Sequence, residues 1–453
     1  MAVYSLLVPE KSLYLSHCRG HFFFAGRLRD ENMTEVIDDL LRYINASPTA
    51  FHAAANARQR LQAAGFVCLS EGDRWSLTAG GKYVVERNGS ALIAFRLPAQ
   101  WSAEAGFRLL TAHTDSPGLK VKLPGSADVA NLLMVPVEVY GGVILSTWLD
   151  RPLGLAGRAV WATPSGLEVR LFNLDEPLAV IPNLAVHLNR DINQGFAYNP
   201  RQHLSACLGL TSPADLRQRL DDAVGCPAET SARYELFLYE QTPAQLSGLK
   251  RDLLTGPRLD NLTSCHAAIA ALVGATAAEA VSVAFLADHE EVGSVSAQGA
   301  NSAFLRDVLH RVVLALGGDA EDCLRALAGS QLLSMDSAHA VHPSYLDKYD
   351  STATPVIGGG VAIKTNVSQR YCTNALSAER FAARCRQAGI PCQSFTNRAD
   401  MPCGSTIGPA CAALLGLEGL DVGTPILAMH SIRETAGVQD HLALTAAATV
   451  FLG

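Results

Sequence analysis

The hydrophobic pattern of this chain changes texture twice. From Met33 to about Gly65 apolar residues recur at helical spacing: Ile37, Leu40, Leu41 and Ile44 share one face, Ser47-Pro48 interrupts, and Phe51 to Ala64 resumes the period. Tyr83 to Val85 and Ala91 to Phe95 read as strands joined through Asn88-Gly89. Arg108 to Ala112 is a further buried strand, ending directly in His113. From Val121 to about Glu240 short β-like runs with Gly and Pro punctuation take over, at Met134 to Tyr140, Gly157 to Ala162 and Leu167 to Leu171. From Asp260 helices and strands alternate again: an Ala-rich helix, a strand over 281–287, a helix over 303–316, a strand before Asp336 and another delivering His430. The pattern predicts an α/β domain, 33–120 with 245–453, interrupted by a β-rich insertion over 121–244.

Composition narrows the class. At 453 residues two domains are the default, and 49% hydrophobic with 17% charged residues describes a core-rich soluble protein. A net charge of −7 without a basic run argues against nucleic acid and anionic membranes as partners. No stretch approaches the roughly 18 apolar residues of a membrane span. The 11 cysteines are odd in number and scattered, and read as reduced, mostly buried thiols of a cytoplasmic protein. Residues 1–32 stand apart: Val3 to Val8 is apolar, but Pro9-Glu10-Lys11 breaks it, unlike a secretory signal. Met33 is the expected true start, with a disordered or surface-docked leader as the other reading.

The chemistry is concentrated where strands end. The apolar run Val281 to Leu286 leads into Asp288-His289-Glu290-Glu291. Adjacent carboxylates there are costly to desolvate unless a cation or a proton offsets them. His113 and Asp115, two apart after a strand, can serve one site, the carboxylate fixing the imidazole tautomer. Asp260 precedes the Ala-rich helix, where an N-cap is the ordinary role. Asp336 closes an apolar run and is followed by His339 and His342, one of which can reach substrate; His430 follows another. Five such coincidences point to a shared site. His113, Asp260, Glu291, Asp336 and His430 make a mixed N/O set suited to zinc, and also to manganese or cobalt. Five ligands exceed what one open tetrahedral ion needs and fit two divalent ions sharing a carboxylate, with Glu290 left over as base.

The strings beginning at His113, Pro257, Asp288, Gln369, Met401 and Met429 resemble the aspartyl aminopeptidase family of co-catalytic zinc peptidases, from roughly Thr34 to the C-terminus. The resemblance implies a mixed-sheet zinc-peptidase catalytic domain of α/β class with an inserted β-rich dimerisation domain, and dimers assembling into a dodecamer. It implies one metal held by His113, Asp260 and Asp336, and a second by Asp260, Glu291 and His430, Asp260 bridging. It further implies Glu290 as general base, Asp115 as support for His113, Lys364 and Tyr371 near the substrate side chain, and His187 reaching into a neighbouring subunit's site.

The expected activity is removal of an N-terminal Asp or Glu from peptides with a free N-terminus. A broad-specificity aminopeptidase, a mononuclear deacylase or carboxypeptidase, and a non-catalytic shell-forming protein are the competing readings. Taken without the resemblance, Lys364 reads as a solvated strand-end lysine, Tyr371 as a core ring and His187 as a fold-stabilising polar residue. The Gly-rich loop from Asp400 to Pro409 fits no phosphate-binding pattern and suits close backbone approach to substrate. Cys403 within it reads as a buried thiol rather than a nucleophile.

Overall fold

The computed structural model describes residues 30–275 and 279–453. The leader expected over 1–32 falls outside these except at its end, where the first helix begins at Asp30 rather than Met33.

Nine strands build the central sheet: β1 (Val67–Leu69), β2 (Lys82–Arg87), β3 (Ala91–Arg96), β4 (Phe107–His113), β5 (Val281–Ala287), β6 (Gln331–Met335), β7 (Val361–Thr365), β8 (Cys392–Thr396) and β9 (Glu418–Gly423). Their spatial order is β1-β2-β3-β5-β4-β6-β9-β7-β8. The four central strands β5, β4, β6 and β9 run parallel, flanked by antiparallel pairings to β3 and β7. Asn88 and Gly89, both at positive φ, turn β2 into β3 as their residue types predict.

The central strands are buried along nearly their whole length because both sheet faces are covered. One face, with Leu110 and Ala112 of β4 and Leu333 and Met335 of β6, packs under the helices Asp30–Asn45, Ala50–Ala63, Leu259–Gly274, Ala375–Ala388 and Val438–Leu452. The other, with Phe107 and Leu109 of β4 and Val283 and Phe285 of β5, packs under Phe304–Ala315, Ala320–Ala328 and Ile407–Leu415. Leu110 is fully buried, so its truncation to alanine costs about 2–5 kcal/mol.

A second, five-stranded sheet takes its strands from Gly118–Val121, Val137–Tyr140, Leu153–Thr163, Gly166–Ala179 and Arg233–Glu240. It therefore begins three residues before the change of texture at Val121. A further five-stranded sheet contains Leu253–Gly256, Pro425–Leu427, Glu434–Gly437 and Ala338–His339, and so holds the segment before Asp260, the two on either side of His430, and His339 itself. Ten cysteines lie among the described residues and all are free; only Cys265, Cys323, Cys385 and Cys411 are buried, fewer than expected. No helix of the described residues is long and apolar enough to cross a membrane.

Candidate metal centre

The carboxyl ends of the parallel strands define the site, as expected for an open α/β sheet. β4 delivers His113 as its last residue, β5 runs on to Glu290 and Glu291, and Asp336 follows β6. His289 adopts a left-handed conformation (φ 61°), which reverses the chain into a short turn of 3-10 helix over Glu290–Val292. Asp115 clamps that turn: its Oδ1 accepts from the Glu290 amide and its Oδ2 from the Glu291 amide, both at 3.1 Å. Tyr140, from the second sheet, donates its hydroxyl to the same Oδ2 at 2.7 Å.

His113 Nδ1 lies 3.0 Å from the Asp115 carbonyl and 3.3 Å from Asp115 Oδ1. Both are acceptors, so Nδ1 is the donor on that side and the ring is oriented by it. Nε2 faces Asp260 Oδ1 at 3.6 Å and Asp336 Oδ1 at 3.7 Å. His430 mirrors it: Nδ1 lies 3.0 Å from the Gly142 carbonyl, and Nε2 faces Asp260 Oδ2 at 3.5 Å and Glu291 Oε2 at 3.4 Å. The two oxygens of Asp260 thus face two different imidazoles.

Two local expectations are corrected here. Asp260 is no N-cap; Arg258 precedes the helix without a side-chain cap, and Asp260 has a non-helical ψ of 105°. The strand before His430 stops at Leu427, and His430 sits in a turn at φ 67°. Glu434 sets that turn, accepting from the His430 amide at 2.8 Å and the Asp260 amide at 3.0 Å. A Cβ at Gly142 would lie 3.2 Å from His430 Nδ1, so any side chain there would crowd the imidazole.

The electrostatics call for added positive charge. Asp260 Oδ1 and Glu291 Oε1 are buried without a hydrogen-bond partner. Burial, reinforced by the surrounding carboxylates, pushes Glu290 up to about 8 and Glu291 well above the carboxylate range. Burial alone would lower His113, but Asp115, Asp260 and Asp336 outweigh it and hold its imidazole well above the ordinary value. Buried acceptors in this state take up protons or cations. Ligating atoms of His113, Asp260 and Glu291 come within 4.8 Å of one another, close enough to share an ion. The donor chemistry, two imidazole nitrogens among carboxylate oxygens, fits zinc.

The same cavity is lined by Glu290, Lys364, Tyr371 and His339. Lys364 is buried rather than solvated, its ammonium donating to the carbonyls of Asp336 at 3.2 Å and Ser337 at 2.9 Å. Tyr371 packs its ring 4.7 Å below that ammonium and against Phe395. His339 is exposed to the cavity, whereas His342 stacks on Tyr345 elsewhere. His187 is not brought in; it lies exposed on a turn of the second-sheet segment. Gly404 and Ser405 of the Gly-rich loop reach the cavity, and Cys403, half-buried, lies 3.1 Å from Asn397 Oδ1. Sequence reasoning passed over Glu434, though it sits four residues after His430, and Tyr140, which nothing near Asp115 in the chain announces.

The model of the family described as "Aminopeptidase I zinc metalloprotease (M18)" matches residues 43–452. The chain belongs to the M18 family of zinc metallo-aminopeptidases. It is 45% identical over 420 residues to a probable M18 family aminopeptidase 2 of Stutzerimonas stutzeri, covering 91% of this chain and 96% of that relative. Its fold is similar to the structure of an Ape4 and Nbr1 complex (TM-score 0.88, 36% identity, 93% of this chain and 86% of that one). It is also similar to the S. cerevesiae mApe1 dodecamer (TM-score 0.82, 25% identity, 93% and 97%). The M18 fold is thus mixed α/β here, and the chain is a hydrolase of the aminopeptidase type.

Proposed function

We propose that this M18 enzyme removes an N-terminal aspartate or glutamate from peptides, using two divalent ions bound on either side of Asp260. The observation that carries the reading is the split of the Asp260 carboxylate, Oδ1 toward His113 and Oδ2 toward His430. His113, Asp336 and Asp260 would hold one ion, and His430, Glu291 and Asp260 the other. Bound there, a pair of ions would supply Lewis acidity toward water and the scissile carbonyl. Glu290, which lines the cavity without an ion pair among the described residues, takes the water's proton and hands it to the leaving amine. Asp115 and Glu434 act as positioning residues for Glu290, Glu291 and His430.

The acidic preference rests on Lys364. Two of its three N–H groups are held by carbonyls, and Asp336 Oδ2 stands 3.8 Å away, which leaves one donor free for a substrate carboxylate. Tyr371 and His339 complete that wall. Residues 33–120 and 245–453 are read as the catalytic domain and 121–244 as an inserted dimerisation domain. Exposed Leu167, Val169, Leu184, Val186 and Leu188 in that segment support a subunit interface. His187 sits among them, which suits a contribution to a neighbouring subunit's site. The mApe1 dodecamer supports the same assembly for this chain, and its free cysteines support a cytoplasmic setting.

The test is metal-reconstituted protein assayed on Asp-, Glu- and Leu-anilides, with and without N-acetylation, alongside metal analysis. About two ions per chain, with turnover confined to free acidic N-termini, is the expected result. A single ion per chain removes the two-ion reading, and a strong preference for Leu selects the broad-specificity one.

A further inference from the structure

The cavity holds a second cation that the proposed chemistry leaves without a task. Arg370 lines it with Lys364, but the two differ in depth. Lys364 is 2% exposed, against the backbone of Asp336 and over the Tyr371 ring. Arg370 is exposed, and its guanidinium makes no hydrogen bond or ion pair among the described residues. Its backbone is fixed nevertheless. Gln369 before it is held at φ 55°, Tyr371 after it is buried, and its own carbonyl accepts from Ser405 Oγ of the Gly-rich loop at 3.2 Å. A free guanidinium is therefore anchored at the mouth of the site.

An aminopeptidase substrate enters amino end first, so its depth in the cavity follows its sequence. The N-terminal residue lies beside Asp336 and Lys364, and an aspartate side chain has one methylene with which to reach a cation. Whatever extends outward to the mouth belongs to the peptide beyond the scissile bond. We propose that Arg370 binds a carboxylate on that leaving portion, either the free C-terminus of a dipeptide or an acidic side chain at the second position. This rests on reading the cavity as the peptide site, but not on the identity of the N-terminal residue. A guanidinium fork suits a carboxylate bidentately, and partial exposure limits the effect to modest size. Arg370 would then tune the enzyme toward very short or acid-rich peptides.

The experiment compares kcat/KM of wild type, R370Q and R370K, all metal-loaded, on four substrates: X-Ala, X-Ala-amide, X-Glu-amide and X-anilide. X is the N-terminal residue the wild type prefers, so a failure of the acidic reading at the first position does not disturb the comparison. R370Q is expected to lower the ratio of X-Ala to X-Ala-amide, or of X-Glu-amide to X-Ala-amide, about tenfold through KM, with R370K in between. Loss confined to X-Ala assigns the C-terminal carboxylate, and loss confined to X-Glu-amide assigns the side chain. Unchanged ratios overturn the proposal. So does an equal loss on all four substrates, because the anilide carries no carboxylate beyond the scissile bond.

Discussion

The helix Leu259–Gly274 contributes to two histidine–carboxylate sets, and they differ in kind. At its start Asp260 faces His113 and His430; six residues on, His266 faces Asp39 and His441. The second set is nearly closed. Asp39 is paired with Arg60 and Arg42, accepts from His266 Nε2 at 3.1 Å, and His266 Nδ1 accepts from His441 Nε2 at 3.1 Å. Burial lowers both histidines, which keeps them neutral, and one His441 nitrogen is the set's only unpartnered atom among the described residues. The first set has the opposite balance: among the described residues it holds orphaned carboxylate oxygens, and its carboxylates crowd one another. Uncompensated acceptors, rather than the pairing of histidine with aspartate, are what set the candidate metal centre apart.

Four changes test this contrast. Asp260→Asn takes away the shared charge and should lower metal content below two ions per chain and turnover by about 1000-fold, read by elemental analysis and anilide hydrolysis. Full metal occupancy in that variant would break the comparison. Glu290→Gln should keep the wild-type metal content yet lose at least about 100-fold in kcat; near-normal activity would remove Glu290 as the base. Asp115→Asn keeps the shape but weakens the clamp on the Glu290–Glu291 turn, so metal affinity should fall about tenfold in chelator titrations.

Asp39→Ala, in the closed set, should leave metal content alone and cost about 1–3 kcal/mol in urea unfolding, since it strands the His266 donor. Its pH dependence has a definite sign. The hydrogen bond from His266 holds the Asp39 carboxyl well below its ordinary value of 3.8, against the opposing effect of burial. A depressed carboxylate stabilises the fold above its unfolded pKa and loses that contribution as pH falls. The stability gap between wild type and the variant should be full near neutrality and shrink below about pH 4. A gap independent of pH would show that Asp39 acts through packing alone.

Much of this was legible beforehand because strand ends carry their own signal. Apolar runs closing in His113, the Glu290–Glu291 pair and Asp336 announced residues presented at a sheet edge. Lys364 was misjudged without the resemblance, since a lysine at the end of a short strand looks solvated, and only β9 and Asp336 packed around it bury it. Tyr140 and Gly142 gave no signal, because their partners Asp115 and His430 lie on other parts of the chain.

By itself the sequence determined the periods of the elements, the both-faces-buried central strands and the types of ligand available, since these depend on neighbours within a few residues. Tertiary structure alone decided that Asp260 splits its oxygens between two imidazoles, that Asp115 clamps the next strand's turn, and that Lys364 lies deep while Arg370 stands at the mouth. Such relations join residues up to 317 positions apart, as between His113 and His430, and only the packing of β4, β5 and β6 side by side sets those distances.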